Sequence, residues 1–181
     1  NVDFSDADLS SLGTITPGSN PNCLYYFPAG ATVPSELNGC NVVVGDHATE
    51  IHLEADHNFL PLRDFTAEKI SYTRTFSKGN AGNQMGWETI MLPFNVTKVS
   101  LKDDPSKTLK WFTPTHKSKG DANFWLMDFV AEDGSTVYYN HADEFVANHP
   151  YIITVPARSD KWSEDWVCLL YTSPSPRDAT L

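Results

Sequence analysis

The chain has few basic residues, few cysteines, no long apolar run and no helical periodicity. There are 13 Lys and Arg against 23 Asp and Glu, a formal net charge of -10. Such a surface repels phosphate backbones, and no Lys/Arg cluster offsets it, so a nucleic-acid partner is not expected. No apolar stretch reaches the roughly 18 residues that a membrane-crossing helix requires, so no membrane span is expected in this segment. Apolar residues nowhere recur at helical spacing over several capped turns, which predicts few or no helices. Neither HExxH nor CxxC spacing occurs, and no cofactor is implied. Three cysteines are too few for a disulfide framework. Cys23 and Cys40 are a candidate disulfide in an exported chain if folding brings them together, or else two small half-buried thiols.

What is present is apolar material for a core. Hydrophobic residues make up 40% of the 181 residues and aromatics 12%, so disorder is not the default. The length fits one ordinary domain, or one domain and part of a neighbour. The chain opens on Asn1 with no leader, which reads as a piece of a longer exported chain whose signal lies upstream. Residues 1–22 read as the end of a preceding region or a linker. The run VDFSDADLSSLG has the look of a last solenoid turn, although one copy does not establish a repeat, and Thr16 to Asn22 is rich in turn residues.

From Cys23 onward, short β signals follow one another closely. Cys23 to Phe27 is aromatic-rich, and Asn41 to Val44 reads as a buried strand closed by Gly45-Asp46. Glu50 to Glu54 alternates, with Ile51 and Leu53 on one face and His52 and Glu54 on the other. Lys69 to Phe76 alternates too, placing Ile70, Tyr72, Arg74 and Phe76 together. Arg74 on that apolar face needs a partner if buried, and Glu88 is the candidate. Trp87 to Phe94 is the most apolar strand, with Pro93 marking a strand end or sheet edge and Trp87, Ile90, Leu92 and Phe94 expected in the core. Further strands are read at Leu109 to Thr113, Phe124 to Ala131 and Pro150 to Val155. Asp133-Gly134 between Phe129-Val130 and Val137-Tyr138-Tyr139 is a hairpin signal. This pattern predicts an all-β chain, an antiparallel β-sandwich of jelly-roll or immunoglobulin-like type, over residues 23–167.

Three segments, FTAEKISYTRTF (Phe65 to Phe76), WETIMLPFNVT (Trp87 to Thr97) and ANHPYIITVP (Ala147 to Pro156), together resemble a β-rich module of surface and secreted proteins from Gram-negative gut anaerobes. In that group the module often lies beside leucine-rich-repeat or immunoglobulin-like units. The upstream NPNCLYYFPAGATVP and NVVVGDHA are also similar to what precedes the module there. The resemblance covers roughly Pro21 to Val167. It implies an extracellular or outer-surface location and an adhesive or architectural role without catalysis. His149 stands where the group more often has Thr.

Residues 168–181 read differently. Cys168 to Asp178, CLLYTSPSPRD, resembles the translation of a transposase sequencing adapter at every codon, which implies an assembly-derived end and a disordered tail. On composition alone the alternative is a Ser/Pro-rich linker.

The chemistry of the side chains adds weaker leads. His52, Glu54 and His57, near His47 and Asp56, are the candidate metal ligands, with a solvated strand face as the plain alternative. Asp143-Glu144 and Glu164-Asp165 supply carboxylates by type for glycoside hydrolysis, but neighbouring carboxylates point apart on a strand. Aromatics are the better lead. Trp111, Trp125, Tyr138 and Tyr139 form a candidate sugar-stacking platform, and most of them fit a core equally well. The function expected first is a non-catalytic structural or adhesive module, with glycans, host or cell-surface proteins and neighbouring domains of the same chain as partners. A carbohydrate-binding module beside an enzyme domain comes second, and a glycoside hydrolase fragment third.

Overall fold

Runs of alternating and aromatic residues become strands almost throughout. The computed structural model describes residues 1–77, 86–113, 122–155 and 166–173, the last of these as backbone only. Among them helix is confined to two 3-10 turns, Leu9–Ser11 and Ser35–Leu37. No helix is long and apolar enough to cross a membrane among the described residues. Among the described residues twelve strands follow in order. They are β1 (Val2–Asp3), β2 (Leu24–Phe27), β3 (Asn41–Val44), β4 (His47–Glu54), β5 (Thr66–Ser77) and β6 (Glu88–Ile90). Then come β7 (Lys98–Leu101), β8 (Thr108–Leu109), β9 (Trp125–Asp133), β10 (Thr136–His141), β11 (Tyr151–Thr154) and β12 (Trp166–Ser173). The chain is all-β, as its pattern predicts.

The chain divides into two compact units, one of Asn1–Thr73 with the chain from Thr172 onward, the other of Arg74–Tyr171. The first unit departs from the antiparallel expectation. β1 pairs with β2 in parallel, β2 with β3 in parallel, and β4 with β5 in parallel; only β3 and β4 run antiparallel, across Gly45-Asp46. This is a solenoid-like stack of short rungs, not one half of an antiparallel sandwich. Nor is the stretch 1–22 a linker here. Its β1 belongs to the sheet, and Phe4, Leu9 and Ile15 pack on a buried cluster of Tyr25, Phe27 and Leu37. β2 is buried on both faces, which an LYYF run permits because every side chain is large and largely apolar.

Two buried asparagines join the rungs. Asn41 accepts from the His52 amide at 2.6 Å and donates to the His52 carbonyl at 2.8 Å and the Pro21 carbonyl at 3.0 Å. Asn22 does the same for Glu54, accepting at 2.7 Å and donating at 2.9 Å, and donates to His57 as well. A side-chain amide carries one carbonyl and one NH2, so it can stand in for a strand's peptide group. Asn1 extends the pattern by accepting from the Leu24 amide at 3.0 Å.

In the second unit one sheet has the order β10-β9-β11-β6 and is antiparallel where its register is defined. β7 pairs antiparallel with β8, and β12 lies beside β7. Core residues include Ile90, Leu92, Phe94, Leu126 and Ile153. Arg74 meets Glu88 at 2.5 Å and donates to the Thr89 carbonyl at 2.8 Å, the partnership its apolar face calls for. The segments WETIMLPFNVT and ANHPYIITVP lie together. Tyr151 pairs with Ile90, the Asn148 amide donates to the Leu92 carbonyl, the Val96 amide to the Phe145 carbonyl, and the Ala147 amide to Asn95. Trp87 is a correction: it is 44% exposed, because β6 starts only at Glu88 and the ring has no sheet to pack under. β12 is another, a strand from Trp166 where disorder is expected from Cys168; WVCLLYTS is apolar and favours extended backbone. Residues 174–181 lie outside the described ones.

Two predictions follow from the first unit. Asn41→Ala removes a buried side chain and leaves the part-buried His52 amide without its acceptor, and we expect a loss of about 1–3 kcal/mol in urea unfolding. An unchanged midpoint would show that the amide does not bridge the strands. Asp3 is held at about 2, below its ordinary 3.8, by the Ser5 hydroxyl and amide and by Arg63. Because the folded pKa is depressed, the stability it contributes is complete above about pH 4 and fades as pH falls toward about 2. Asp3→Asn is expected to flatten the pH dependence of the unfolding midpoint in that window, and an unaltered slope would refute the linkage.

Candidate functional site

The hairpin read from Asp133-Gly134 is the most exposed feature of the second unit. Gly134 has φ of 60°, and Ser135 is not left-handed, so the positive φ falls on the first central residue of a two-residue turn, as in a type II′ hairpin. β9 has two neighbours only at its start. Its ladder with β11 runs from Trp125 opposite Thr154 to Asp128 opposite Tyr151 and then ends. Beyond Asp128, β9 pairs with β10 alone, so residues 129–140 form a two-stranded ribbon that is exposed throughout.

The ribbon is apolar despite that exposure. Phe129 is 50% exposed, Val137 48%, Tyr138 50% and Tyr139 37%, and Val130 is exposed beside them. The register shifts between Tyr138 and Tyr139, so that Tyr138 faces Ala131 while Tyr139 faces Phe129, with Val130 as the extra residue. Phe129 and Tyr139 meet edge to face, with ring centroids 6.2 Å apart and planes at 78°. Successive strand residues point to opposite faces, so Tyr138 lies on the other face, with Asn140 and, across the strands, Asp128.

The stretch of chain that carries the ribbon holds carboxylates but no Lys or Arg. Asp128, Glu132, Asp133, Asp143 and Glu144 all lie between Ala122 and Val155, and no Lys or Arg occurs in that stretch. Asp128 is engaged by His149 at 2.6 Å. Burial pushes the nearby Tyr151 phenol up, and its oxygen accepts from the Val146 amide at 3.1 Å.

The four aromatics of the expected platform are divided. Trp111 is half-buried, donates its indole N–H to the Ala142 carbonyl at 2.9 Å and tilts 48° against buried Phe124. Trp125 is half-buried in β9, opposite Thr154. Tyr138 and Tyr139 are exposed, but on opposite faces, so the four do not make a coplanar row. Sequence reasoning passed over Phe129, Val130 and Val137. The signal was present: Val137-Tyr138-Tyr139 does not alternate, and a strand with one buried face would.

The other candidates are also dispersed. His52 shares a 2.6 Å hydrogen bond with Ser71 and lies 3.5 Å from Glu50, while Glu54 and His57 are exposed. Among the described residues no group of three His, Cys, Asp or Glu is placed to hold a metal. Asp143 and Glu144 are both exposed; Glu164 and Asp165 lie outside the described residues. The first unit has an open cleft of about 450 Å³, whose lining includes Leu9, Leu12, Thr14, Thr32 and a single carboxylate, Glu36.

No family model matches this chain, and neither curated proteins nor solved structures yield a match.

Cys23 and Cys40 are free thiols, although each directly precedes one of the paired residues Leu24 and Asn41 and both pack on the Tyr25 cluster. A disulfide needs Cβ atoms roughly 3.8 Å apart and a specific dihedral as well as neighbouring strands, and the two thiols here are unbonded. Intact-mass analysis after alkylation of the air-exposed protein in denaturant is expected to find both modified, and a Cys23–Cys40 crosslinked peptide would show that the rungs close up.

Proposed function

We propose that the chain is a non-catalytic adhesive or architectural module of a secreted or surface-attached protein, and that it contacts macromolecular partners through the β9–β10 ribbon. The observation that carries this reading is that Phe129, Val137, Tyr138 and Tyr139 are exposed on a ribbon that the rest of its sheet does not cover. An isolated two-stranded ribbon is marginal in water, and its apolar side chains gain nothing from staying wet. Covering the exposed half of each large side chain is worth about 1 kcal/mol. The resemblance of FTAEKISYTRTF, WETIMLPFNVT and ANHPYIITVP to modules of bacterial surface proteins supports the extracellular location. Reading the second unit as a small antiparallel sandwich belongs with this proposal, supported by buried Leu126 and Ile153 in one sheet and Val99 and Leu109 in the other pair of strands.

A second reading, glycan binding, has one observation in its favour. Tyr138 shares its face with the amide of Asn140 and the carboxylate of Asp128, a ring beside hydrogen-bonding groups.

A mixed array of immobilised extracellular proteins and glycans separates the two. We expect the wild-type chain to bind protein spots and Phe129→Ser/Val137→Ser/Tyr139→Ser to lose at least tenfold in signal, roughly the cost of 1.4 kcal/mol or more, with its circular dichroism unchanged. Equal binding by both proteins would remove the ribbon from the account. Selective loss on glycan spots with Tyr138→Ala would replace the first reading with the second.

A further inference from the structure

We propose that the open edge of β10 takes an extended, Lys- or Arg-bearing segment of a protein partner as an added strand. This rests on the reading of the ribbon as an adhesive surface and names the chemistry of what it binds.

Among the described residues the edge is open: β10 ends its sheet, with β9 as its one neighbour in the order β10-β9-β11-β6. Across the two-residue turn Asp133 and Thr136 form the closing, hydrogen-bonded pair, so at the next pair, Glu132 with Val137, the backbone groups of Val137 point away from β9. Edge strands are ordinarily protected by Pro, Lys or inward charges, and β10, TVYYNH, has no Pro, Lys, Arg, Asp or Glu. A strand added there would satisfy outward backbone groups while its side chains meet Val137 and Tyr139 on one face and Tyr138 on the other.

The charge decides among occupants. Five carboxylates lie in the stretch that contains the ribbon, with no Lys or Arg from Ala122 to Val155. A second copy paired edge to edge would set these carboxylates against their own counterparts, which opposes self-association. A neutral sugar can hydrogen-bond to carboxylates but gains no net charge attraction from them, and the 78° between Phe129 and Tyr139 presents no flat two-ring shelf for it. A cationic strand meets both features, since carboxylates attract Lys and Arg, and the faces of Tyr138 and Tyr139 accept a cation.

The test uses the full chain and short synthetic peptides alternating Lys with Val, with Glu-for-Lys counterparts, read by fluorescence anisotropy. The Lys peptides are expected to bind and the Glu peptides not, with affinity falling at least roughly tenfold between low and high salt. Val137→Lys/Tyr139→Lys is expected to abolish that binding. Should this variant unfold, hydrogen exchange on the wild-type chain keeps the test open: the Lys peptide should slow exchange at the Val137 amide, and no protection there overturns the proposal. Equal binding of both peptide types overturns the charge argument and the proposal with it. Concentration-dependent dimers that Val137→Lys dissolves would assign the edge to a second copy instead. If no peptide binds while the triple serine variant still loses its array signal, the adhesive reading stands and the cationic strand falls.

Discussion

Along β4, the backbone groups of His52 and Glu54 meet side-chain amides on the side away from β5, and the first unit depends on that substitution. β3 leaves β4 after one ladder pair, Val44 with His47, so the later residues of β4 would otherwise turn part-buried peptide groups toward nothing. Asn41 and Asn22 fill the place of the missing strand, one residue pair apart. Each is almost wholly buried, where an unpaired polar atom is expensive and a fully paired amide is not. The parallel rungs on one side and the β4–β5 ladder on the other are thereby one hydrogen-bonded sheet, although no continuous pair of strands connects them at that point. The tyrosines of β2 work outward from the same layer. Tyr25 and Tyr26 bury their rings and leave their hydroxyls to accept from the Gly18 and Leu62 amides, which pins both flanking loops to the rung.

The second unit answers the same need mostly through backbone. Its 92–96 segment is irregular, yet Leu92, Phe94 and Val96 are buried, because the Leu92 carbonyl accepts from Asn148, the Val96 amide donates to Phe145 and the Asn95 side chain accepts from the Ala147 amide. Pro93 can sit there for that reason: it has no N–H to place in a ladder. The left-handed Asn148, with φ of 56°, turns its amide toward Leu92. WETIMLPFNVT and ANHPYIITVP are thus physical neighbours, held by β6 on β11 and by these three bonds.

How much of this the sequence discloses follows from which forces are local. Strand positions are local: β2, β3, β4, β5 and β11 stand where apolar runs and alternation place them, and the Arg74–Glu88 pair is deducible because a cation on an apolar face has to be neutralised. Strand direction is not local. Residues 24–27 and 41–44 look the same whether their partner runs parallel or antiparallel, and 13 intervening residues can make either connection. The roles of Asn22 and Asn41 were hidden for a related reason, since an asparagine before a strand reads as a turn residue until the chain that crosses it is known. Ring type misled as well. Trp111 and Trp125 carry the same chemistry as an exposed platform, but neighbouring Phe124 and Leu126 are fully enclosed and draw the indoles partly inward with them.

The ribbon lies between these cases. Its turn was legible from Asp133-Gly134, and its two tyrosines were singled out, but its exposure depends on a length mismatch that no local pattern records. β11 stops at Tyr151, beside Asp128, while β9 and β10 continue to their turn. Had β11 run on past Asp128, Phe129 and Val130 would have been flanked on both sides and the non-alternating Val137-Tyr138-Tyr139 would read as ordinary edge packing. Because it stops, large apolar side chains on both faces of the ribbon remain in water beside a backbone edge that no described strand covers, in a stretch of chain with carboxylates and no Lys or Arg. Each of those features is mildly unfavourable to the isolated chain, and an extended cationic partner relieves all three at once. That convergence, rather than any single exposed ring, distinguishes this surface from the scattered apolar exposure normal for a folded protein.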